Sequence, residues 1–410
     1  MQNLAELELH YLPVEEQSFA DDPFGQLVEA RKVHPWLAKT SFGYAMTQYR
    51  AVRELIVHED KLRMGLTEIA DHMGAQGTLW GKFIADNIES QTGDTHKRLR
   101  NAISTFFTPG QLKAQRPMMR QTIADLMDEW VPRGKFDFEE FISYFPISVM
   151  CKLLGASTDV IPRLRDSLEA LGLAFSMDRS LLPLLNESVS ILDKFVRDLV
   201  AERRTNPAAG EGDMLDGLLR VTAEGKMDDE ELYSLLIFLF GAGYDTSKNV
   251  LTMMMRTLVE WPEVWDRCAR DAVYCRRVMN ETMRWHSPAS SMRHVEVDFV
   301  FRDVLFTAGS VILMPWSILG RDSTAVSDPD VFNPDRPEGN PHMAFGAGPH
   351  ICLGQFIAKA QIEEALHLIA QRVRKPRIAG PYEWRPFPGV WGLRGLPIEF
   401  EPASALAVVD

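Results

Sequence analysis

The sequence predicts a mainly α-helical fold with a minor β region. Amphipathic stretches of helical period fill most of the first two-thirds of the 410 residues. Strand-like alternation is confined to 295–315 and to short segments at the end of the chain. Residues 322–349 show almost no periodicity, and an irregular stretch of this length inside a compact domain is usually functional. No repeat or long linker interrupts the chain, so we expect a single domain over 1–410.

Several helices begin at residues that suit helix ends. Asp22 followed by Pro23 combines a capping side chain with a proline at the first helical position. Asp228 and Glu231 have the spacing of a capping box and begin the longest predicted helix, which runs to Glu260. Further amphipathic helices are predicted at 111–130, 138–154, 181–203, 272–285 and 353–372.

Composition and charge argue against several classes of protein. A net charge of −13 does not favour binding to nucleic acid or to an anionic membrane. The acidic first 17 residues lack the features of a signal peptide, and the longest apolar run, 235–240, is too short to span a bilayer. Four cysteines without a CxxC pair do not indicate a disulfide framework, a zinc site or an iron–sulfur cluster. We therefore expect a cytoplasmic protein without a membrane anchor.

One short segment, Phe345 to Gly354, combines glycines, a histidine and a cysteine. Gly346 and Gly348 permit a tight turn and close approach to a flat ligand, and Cys352 precedes a predicted helix whose N–H groups would stabilise a thiolate. Taken alone, the segment could equally contain a buried, inert cysteine. It matches the signature F-G-x-G-x-H-x-C-x-G at all six fixed positions, however, and so resembles the cytochrome P450 family.

This resemblance implies the cytochrome P450 fold and a bound heme b whose iron has Cys352 as its axial ligand. A thiolate in that position favours cleavage of the O–O bond. The implied activity is that of a heme-thiolate monooxygenase, which inserts one oxygen atom from O2 into a hydrophobic small molecule. The reaction would be C–H hydroxylation or oxidative O-dealkylation.

Two further motifs match the family in the expected order. Glu281 and Arg284 form its E-x-x-R motif, and a spacing of three places both side chains on one helix face. Arg336, from the irregular stretch, would complete a structural triad with them. The segment 242–247, in the middle of the long helix, matches A-G-x-[DE]-T, which implies that Asp245 and Thr246 deliver protons during oxygen activation.

The long helix also departs from a simple helical sequence. Gly241 and Gly243 each cost about 1 kcal/mol relative to alanine in a helix interior, which is understandable if a flat group lies against them. The resemblance places Ala242 against the heme. Lys248 stands where the family commonly has a small or apolar residue. It could pair with Asp245 and slow proton transfer, or point away from the heme.

The resemblance also assigns contacts to the heme and the substrate. Those expected on the heme, besides Cys352, are His96, Arg100, Arg293, His350, Phe345, Gly346 and Ala242. Ser291 stands where family members frequently have a side chain that contacts a heme propionate, so that contact is expected to be missing. The expected substrate contacts are Phe238, Gly241, Ala289, Ser290, Val390 and Trp391. A stripe that is either core or the roof of an apolar pocket consists of Leu171, Leu173, Phe175, Met177, Leu181, Leu182, Leu184 and Leu185. A terpenoid or an aromatic compound would suit such a pocket.

No segment resembles a flavin or iron–sulfur domain, so electrons would come from a separate ferredoxin and an NAD(P)H-dependent ferredoxin reductase. Lys97, Arg98 and Lys359 are expected to form a basic patch that attracts an acidic ferredoxin despite the negative net charge. Two alternatives keep the heme. One is an enzyme that uses peroxide or rearranges its substrate, against which Asp245 and Thr246 argue. The other is a heme-binding protein without turnover.

Overall fold

The computed structural model describes residues 2–58, 60–207, 212–337, 339 and 341–403. Helices dominate this part of the chain. They are α1 Gln17–Asp21, α2 Pro23–Val33, α3 Tyr49–Leu55, α4 Leu66–His72, α5 Leu79–Asp86, α6 Gly93–Ser104, α7 Pro109–Trp130, α8 Phe138–Leu153, α9 Ile161–Leu173, α10 Leu182–Thr205, α11 Met214–Ala223, α12 Asp229–Leu258, α13 Pro262–Arg270, α14 Ala272–Trp285 and α15 Gln355–Arg372.

Short strands form the minor β region. They are β1 Gln2–Asn3, β2 Leu37–Thr40, β3 Gly43–Met46, β4 Leu62–Met64, β5 Lys135–Asp137, β6 Ser291–Val295, β7 Phe299–Phe301, β8 Val304–Phe306, β9 Val311–Met314, β10 Val373–Ile378, β11 Glu383–Trp384, β12 Leu393–Arg394 and β13 Pro397–Pro402. The prediction of a mainly α-helical fold with a minor β region is confirmed.

The largest sheet pairs strands from the N-terminal part of the chain with strands that are distant in sequence. Its strand order is β2-β3-β9-β6-β4, so strands from the first 64 residues pair with strands that follow α14. β3 runs parallel to β9, with Tyr44 opposite Ile312, and β4 runs antiparallel to β6, with Met64 opposite Arg293. This pairing brings Arg293 to the wall of the cavity described below.

The long helix α12 passes through the interior of the molecule. The capping box predicted at its start is present, because the Asp228 side chain accepts from the Glu231 N–H and the Glu231 side chain accepts from the Asp228 N–H. α12 packs along α8, α9 and α10. Gly243 permits the close approach of α8, since a Cβ at that position would lie 2.6 Å from the Met150 sulfur. α12 and α8 are therefore closely packed at this point.

The predicted helices are confirmed to within a few residues, whereas the strands near the N-terminus were missed. Asp22 caps α2 as expected, accepting from the Gly25 N–H. The last long helix begins at Gln355 rather than 353. β2, β3 and β4 are only three or four residues long. Such short alternation does not stand out from the helical period of the flanking segments.

The irregular stretch 322–349 contains neither helix nor strand among its described residues, and a buried ion cluster holds it. Arg284 donates to both carboxylate oxygens of Glu281 at 2.7 Å, and neither side chain has exposed surface. Arg336 contacts the same carboxylate at 3.3 Å and donates to backbone carbonyls of 327–331. The three side chains therefore fix the irregular stretch to α14.

Among the described residues, no helix combines the length and the apolarity that crossing a lipid bilayer would require.

Candidate active site

A cavity of about 340 Å³ lies between α12 and the loop that contains Cys352. Residues of α5, α6, α9, α12 and α15 contribute to its wall, together with β6 and the turn at 388–390. Most of the lining side chains are aliphatic or aromatic. Most of the polar exceptions fall into two groups, one on α12 and one around His350, and both contain residues that the sequence singled out.

Cys352 presents its side chain to this cavity. Its backbone N–H donates to the Phe345 carbonyl at 2.8 Å, which closes the loop, and Gly346 and Gly348 adopt left-handed backbone conformations with φ of 67° and 72°. Only glycine adopts such conformations without strain. The solvent-accessible surface of Cys352 belongs to the cavity wall rather than to the outer surface of the protein.

The electrostatics of Cys352 suit a metal ligand. The pKa of the thiol is raised to about 11, mainly by burial and to a lesser extent by Glu89, although the Gly354 N–H, Arg100 and Lys359 oppose the rise. The protein alone would therefore keep a thiol at neutral pH, and a metal cation bound at the sulfur would supply the missing positive charge. A largely apolar cavity with one cysteine thiol on its wall fits an iron porphyrin.

A cluster of basic side chains lines one end of the cavity. The His96 and His350 rings are stacked with their centroids 4.1 Å apart, and Arg100 and Arg293 lie on the same wall. The pKa of His350 is lowered to about 3, mainly by burial and also by His96, Arg293 and Arg100. Such a cluster attracts anions, and the two carboxylates of heme b fit it.

The two arginines of this cluster are oriented by their own neighbours. Arg100 donates to the Ile351 carbonyl, so it links α6 to the cysteine loop. Arg293 donates to the Ser291 hydroxyl and to the Met292 carbonyl at 3.1 Å. Ser291 thus orients Arg293 toward the cavity wall. Glu89, which sequence reasoning missed, places a carboxylate close enough to Arg100 and Arg293 to interact with both charges.

The middle of α12 forms the other polar group. The Thr246 hydroxyl donates to the Ala242 carbonyl at 2.8 Å, one turn earlier, as expected for a threonine that opens a local groove. Ala242 is exposed although it lies in the middle of a buried helix, because it faces the cavity. A Cβ on Gly241 would meet only a Leu171 methyl, at 3.6 Å. This face of α12 is therefore smooth and open to a ligand.

Asp245 lies on the same turn of α12, and contacts with neighbouring residues fix its side chain. Its Oδ1 accepts from Arg385 at 2.7 Å and from the Asn249 amide at 3.0 Å, and Lys248 Nζ lies 3.4 Å away. Lys248 pairs with Asp245, as one of the two expectations stated, and its side chain does not line the cavity, in agreement with the other. Arg385 was missed, since nothing in its local sequence distinguishes it from a surface arginine.

Most of the predicted substrate contacts line the cavity: Phe238, Gly241, Ala289, Ser290 and Val390. Trp391 does not, and that prediction was wrong. Its ring is stacked on Trp384 at 4.5 Å in an aromatic cluster, and its exposure is 1%. The chain turns at 388–390, and Val390 faces the cavity while the Trp391 ring packs into the core.

The apolar stripe of 171–185 divides in the same way. Leu171 and Phe175 line the cavity, whereas Leu185 is fully buried in the core and Leu184 is 45% exposed. Further lining residues, which sequence reasoning missed, are Trp80, Phe83, Asn87 and Ile88. These residues lie in and just after α5, where no motif marks them.

The predicted basic patch is smaller than expected. Arg98 is engaged by α12, with its guanidinium 2.5 and 3.0 Å from the two carboxylate oxygens of Glu231, and it also donates to the Lys226 carbonyl. Lys97 remains 73% exposed. Lys359 lies with Nζ 4.8 Å from the centre of the Phe345 ring, close to the cysteine loop.

Comparison with known proteins adds an independent line of information. The family described as Cytochrome P450 matches residues 45–374. The chain is 30% identical over 404 residues to the luteothin monooxygenase of Streptomyces thioluteus, covering 97% of each. It is 26% identical over 402 residues to the biotin biosynthesis cytochrome P450 of Bacillus subtilis (strain 168), covering 93% of this chain and 97% of the relative.

Solved structures show the same fold. The crystal structure of CalO2 superposes with a TM-score of 0.86 at 22% identity, covering 97% of this chain and all of that one. The epothilone B-bound cytochrome P450epoK superposes with a TM-score of 0.85 at 20% identity, covering 96% of this chain and 100% of the other.

Proposed function

Because this chain belongs to the cytochrome P450 family, we propose that it is a monooxygenase that oxidises an apolar small molecule by C–H hydroxylation or oxidative O-dealkylation. The observation that carries this proposal is the shared cavity, into which both Cys352 and Thr246 project. Heme b is the cofactor of the family. Cys352 would ligate its iron, and His96, Arg100, Arg293 and His350 would hold its carboxylates.

Heme b supplies the redox-active iron at which O2 is activated, and the protein supplies protons, orientation and a dry pocket. Thr246 would position a proton donor at the cavity wall, since its hydroxyl is fixed by the Ala242 carbonyl and its oxygen can still accept. Asp245 would hold the proton that Thr246 passes on. The apolar roof formed by Trp80, Phe83 and Phe175 would exclude water while the substrate is bound.

The lining favours an apolar substrate of some size. Aromatic and aliphatic side chains supply the contact area, while Asn87 and Ser290 offer the few polar groups that fix orientation. A terpenoid or an aromatic compound fits this description. One relative is itself named a luteothin monooxygenase, which supports oxygen insertion as the reaction type. Electrons would come from a separate ferredoxin and its NAD(P)H-dependent reductase.

The proposal is tested with the heme-loaded protein and a panel of apolar compounds. Compounds that enter the cavity are expected to shift the main heme absorption band. With NAD(P)H, a ferredoxin and its reductase, those compounds should yield products that contain one atom from ¹⁸O2. Turnover with hydrogen peroxide alone would favour the peroxide-using alternative. Binding without any product under either condition would overturn the proposal in favour of a heme-binding protein.

A further inference from the structure

Lys248 is a buried cation surrounded by three carboxylates. Its side chain has no exposed surface, and Nζ lies 2.6 Å from Glu139 of α8, 3.5 Å from Glu169 of α9 and 3.4 Å from Asp245. None of the three contacts has the geometry of a hydrogen bond, so all three are ion pairs. The Tyr244 ring lies 5.4 Å from Nζ and completes the enclosure. No motif requires a lysine here, and α12 could pack with an apolar residue instead.

The surroundings keep Lys248 protonated. Burial alone would lower the pKa of the ammonium group, and Arg385 also lowers it. Asp245, Tyr244 and Glu139 outweigh these effects, so the pKa is raised above its ordinary value. At neutral pH the side chain therefore carries an exchangeable proton within reach of the Asp245 carboxylate.

Among the described residues, only one of the groups that contact the Asp245 carboxylate can release a proton. Arg385 holds its protons throughout the accessible pH range, and the Asn249 amide does not titrate. The second carboxylate oxygen, Oδ2, has no hydrogen-bond partner among the described residues and faces Gly172 of α9. The remaining contact is Lys248.

The ion pairs of Lys248 also connect Asp245 to the outer surface. Side-chain exposure is 34% for Glu169 and 16% for Glu139, and it falls to 0% for Lys248 and 2% for Asp245. Each of the three carboxylates lies 2.6 to 3.5 Å from Lys248 Nζ, which therefore stands between the two glutamates and Asp245. The series reaches the cavity from the α8–α9 side and so does not depend on the space that a substrate would fill.

We infer that Lys248 carries protons from Glu139 and Glu169 to Asp245, as the internal part of a path from solvent to the cavity. In one transfer, an N–H bond of the ammonium breaks and an O–H bond forms on the Asp245 carboxylate. The neutral amine then takes a proton from a protonated Glu169 or Glu139, and that carboxylate is reprotonated by solvent. No charge accumulates over the cycle. This inference rests on the proposed monooxygenase function, which consumes protons at the cavity.

The test compares Lys248→Arg with wild type in the heme-loaded enzyme. Arginine keeps the positive charge but does not release its proton, so charge and proton transfer are separated. Product formation in a single turnover should slow by about tenfold or more and its solvent deuterium isotope effect should rise. The stretching band of carbon monoxide bound to the reduced heme, which reports charge near α12 at rest, should keep its position. Lys152→Arg, remote from the network and bonded to Thr122, is the matched control and should behave as wild type.

A second variant keeps the inference testable if Lys248→Arg does not fold. Glu139→Gln with Glu169→Gln removes both outer proton donors at sites that retain some exposure, and it should slow the same step with the same rise in isotope effect. Wild-type rates and isotope effects in the variant that folds would overturn the proton path. That result leaves the proposed function intact as long as the wild-type enzyme forms product, so the two failures are distinguishable.

Discussion

Gly172, near the end of α9, packs directly against the carboxylate of Asp245 on α12. A Cβ at this position would overlap Oδ2 of Asp245 and would lie 3.1 Å from a guanidinium nitrogen of Arg385. The Gly172 carbonyl also accepts from the Val390 N–H at 3.0 Å. One glycine therefore joins the roof of the cavity, its acidic residue and the C-terminal turn.

Gly172→Ala is expected to destabilise this junction. The added methyl group must displace a buried ion pair or push α9 outward, and overpacking of this kind costs about 1–3 kcal/mol. Thermal unfolding should report the loss, and substrate-induced shifts of the heme band should weaken. Gly110→Ala in α7 is the control, because nothing lies within 4 Å of a Cβ there. Equal stability of the two variants would show that α9 accommodates the added methyl group without loss of stability.

Cys352→Ser should abolish thiolate ligation. The carbon monoxide complex of the reduced wild-type protein should absorb at about 450 nm, the position typical of a thiolate-ligated heme, and the variant should lose this band. Cys151→Ser is the control, since Cys151 is fully buried and outside the cavity wall. Retention of the band in Cys352→Ser would contradict the assigned ligand.

Thr246→Ala should separate substrate binding from proton delivery. The hydroxyl is needed only after O2 has bound, so the substrate-induced shift should persist while hydrogen peroxide is released at the expense of product. Thr257→Ala removes a similar hydroxyl from the same helix, one that donates to the Met253 carbonyl at 2.9 Å. Normal peroxide levels in Thr246→Ala, equal to those of the Thr257 control, would mean that another group performs this task.

In the Glu281→Gln variant, the irregular stretch 322–349 should unfold at lower denaturant concentrations than in wild type. Loss of the negative charge leaves Arg284 and Arg336 buried without their shared partner, which typically costs about 3–5 kcal/mol. The urea concentration at the midpoint of unfolding and the heme content should both fall. Asp198→Asn on α10 removes one partner of an exposed pair, at 2.8 Å from Lys194, and should change stability by less than about 1 kcal/mol.

Lys97→Glu should slow reduction by an acidic ferredoxin at low salt and reduce the salt dependence of the rate, because Lys97 is exposed on α6 near the cysteine loop. Arg98 is a poor choice for this test, since its replacement would also release Glu231 at the start of α12. Lys194→Glu on α10 gives the same charge change elsewhere. Reduction rates that match in both variants would place the docking surface away from α6.

Local signals in the sequence predicted the parts of the fold and site that depend on neighbouring residues. The capping box of Asp228 and Glu231 lies within four residues, and the Thr246–Ala242 hydrogen bond lies within one turn. Cys352 was singled out because its ten-residue segment resembles the cysteine-loop signature of the cytochrome P450 family. Each of these features can be recognised in a short window of sequence.

The features that sequence reasoning missed depend on contacts between distant segments. Arg385 is an ordinary charged residue until the fold brings it within 2.7 Å of Asp245, 140 residues away in the chain. Glu139 and Glu169 look like solvated positions on amphipathic helices, and only packing turns them toward Lys248. Trp391 was assigned to the wrong side of its segment because nothing in one sequence fixes the orientation of a short irregular turn.

The pairing of β3 with β9 has a consequence during synthesis on the ribosome. Tyr44 emerges early, yet its partner Ile312 is made only after most of the chain has been translated. At ordinary elongation rates this leaves one edge of the β2–β3 hairpin without a partner for tens of seconds. An unpaired edge is a template for association with other chains. Newly made chains should therefore be most prone to aggregate, and to require chaperones, before the β9 segment has left the ribosome.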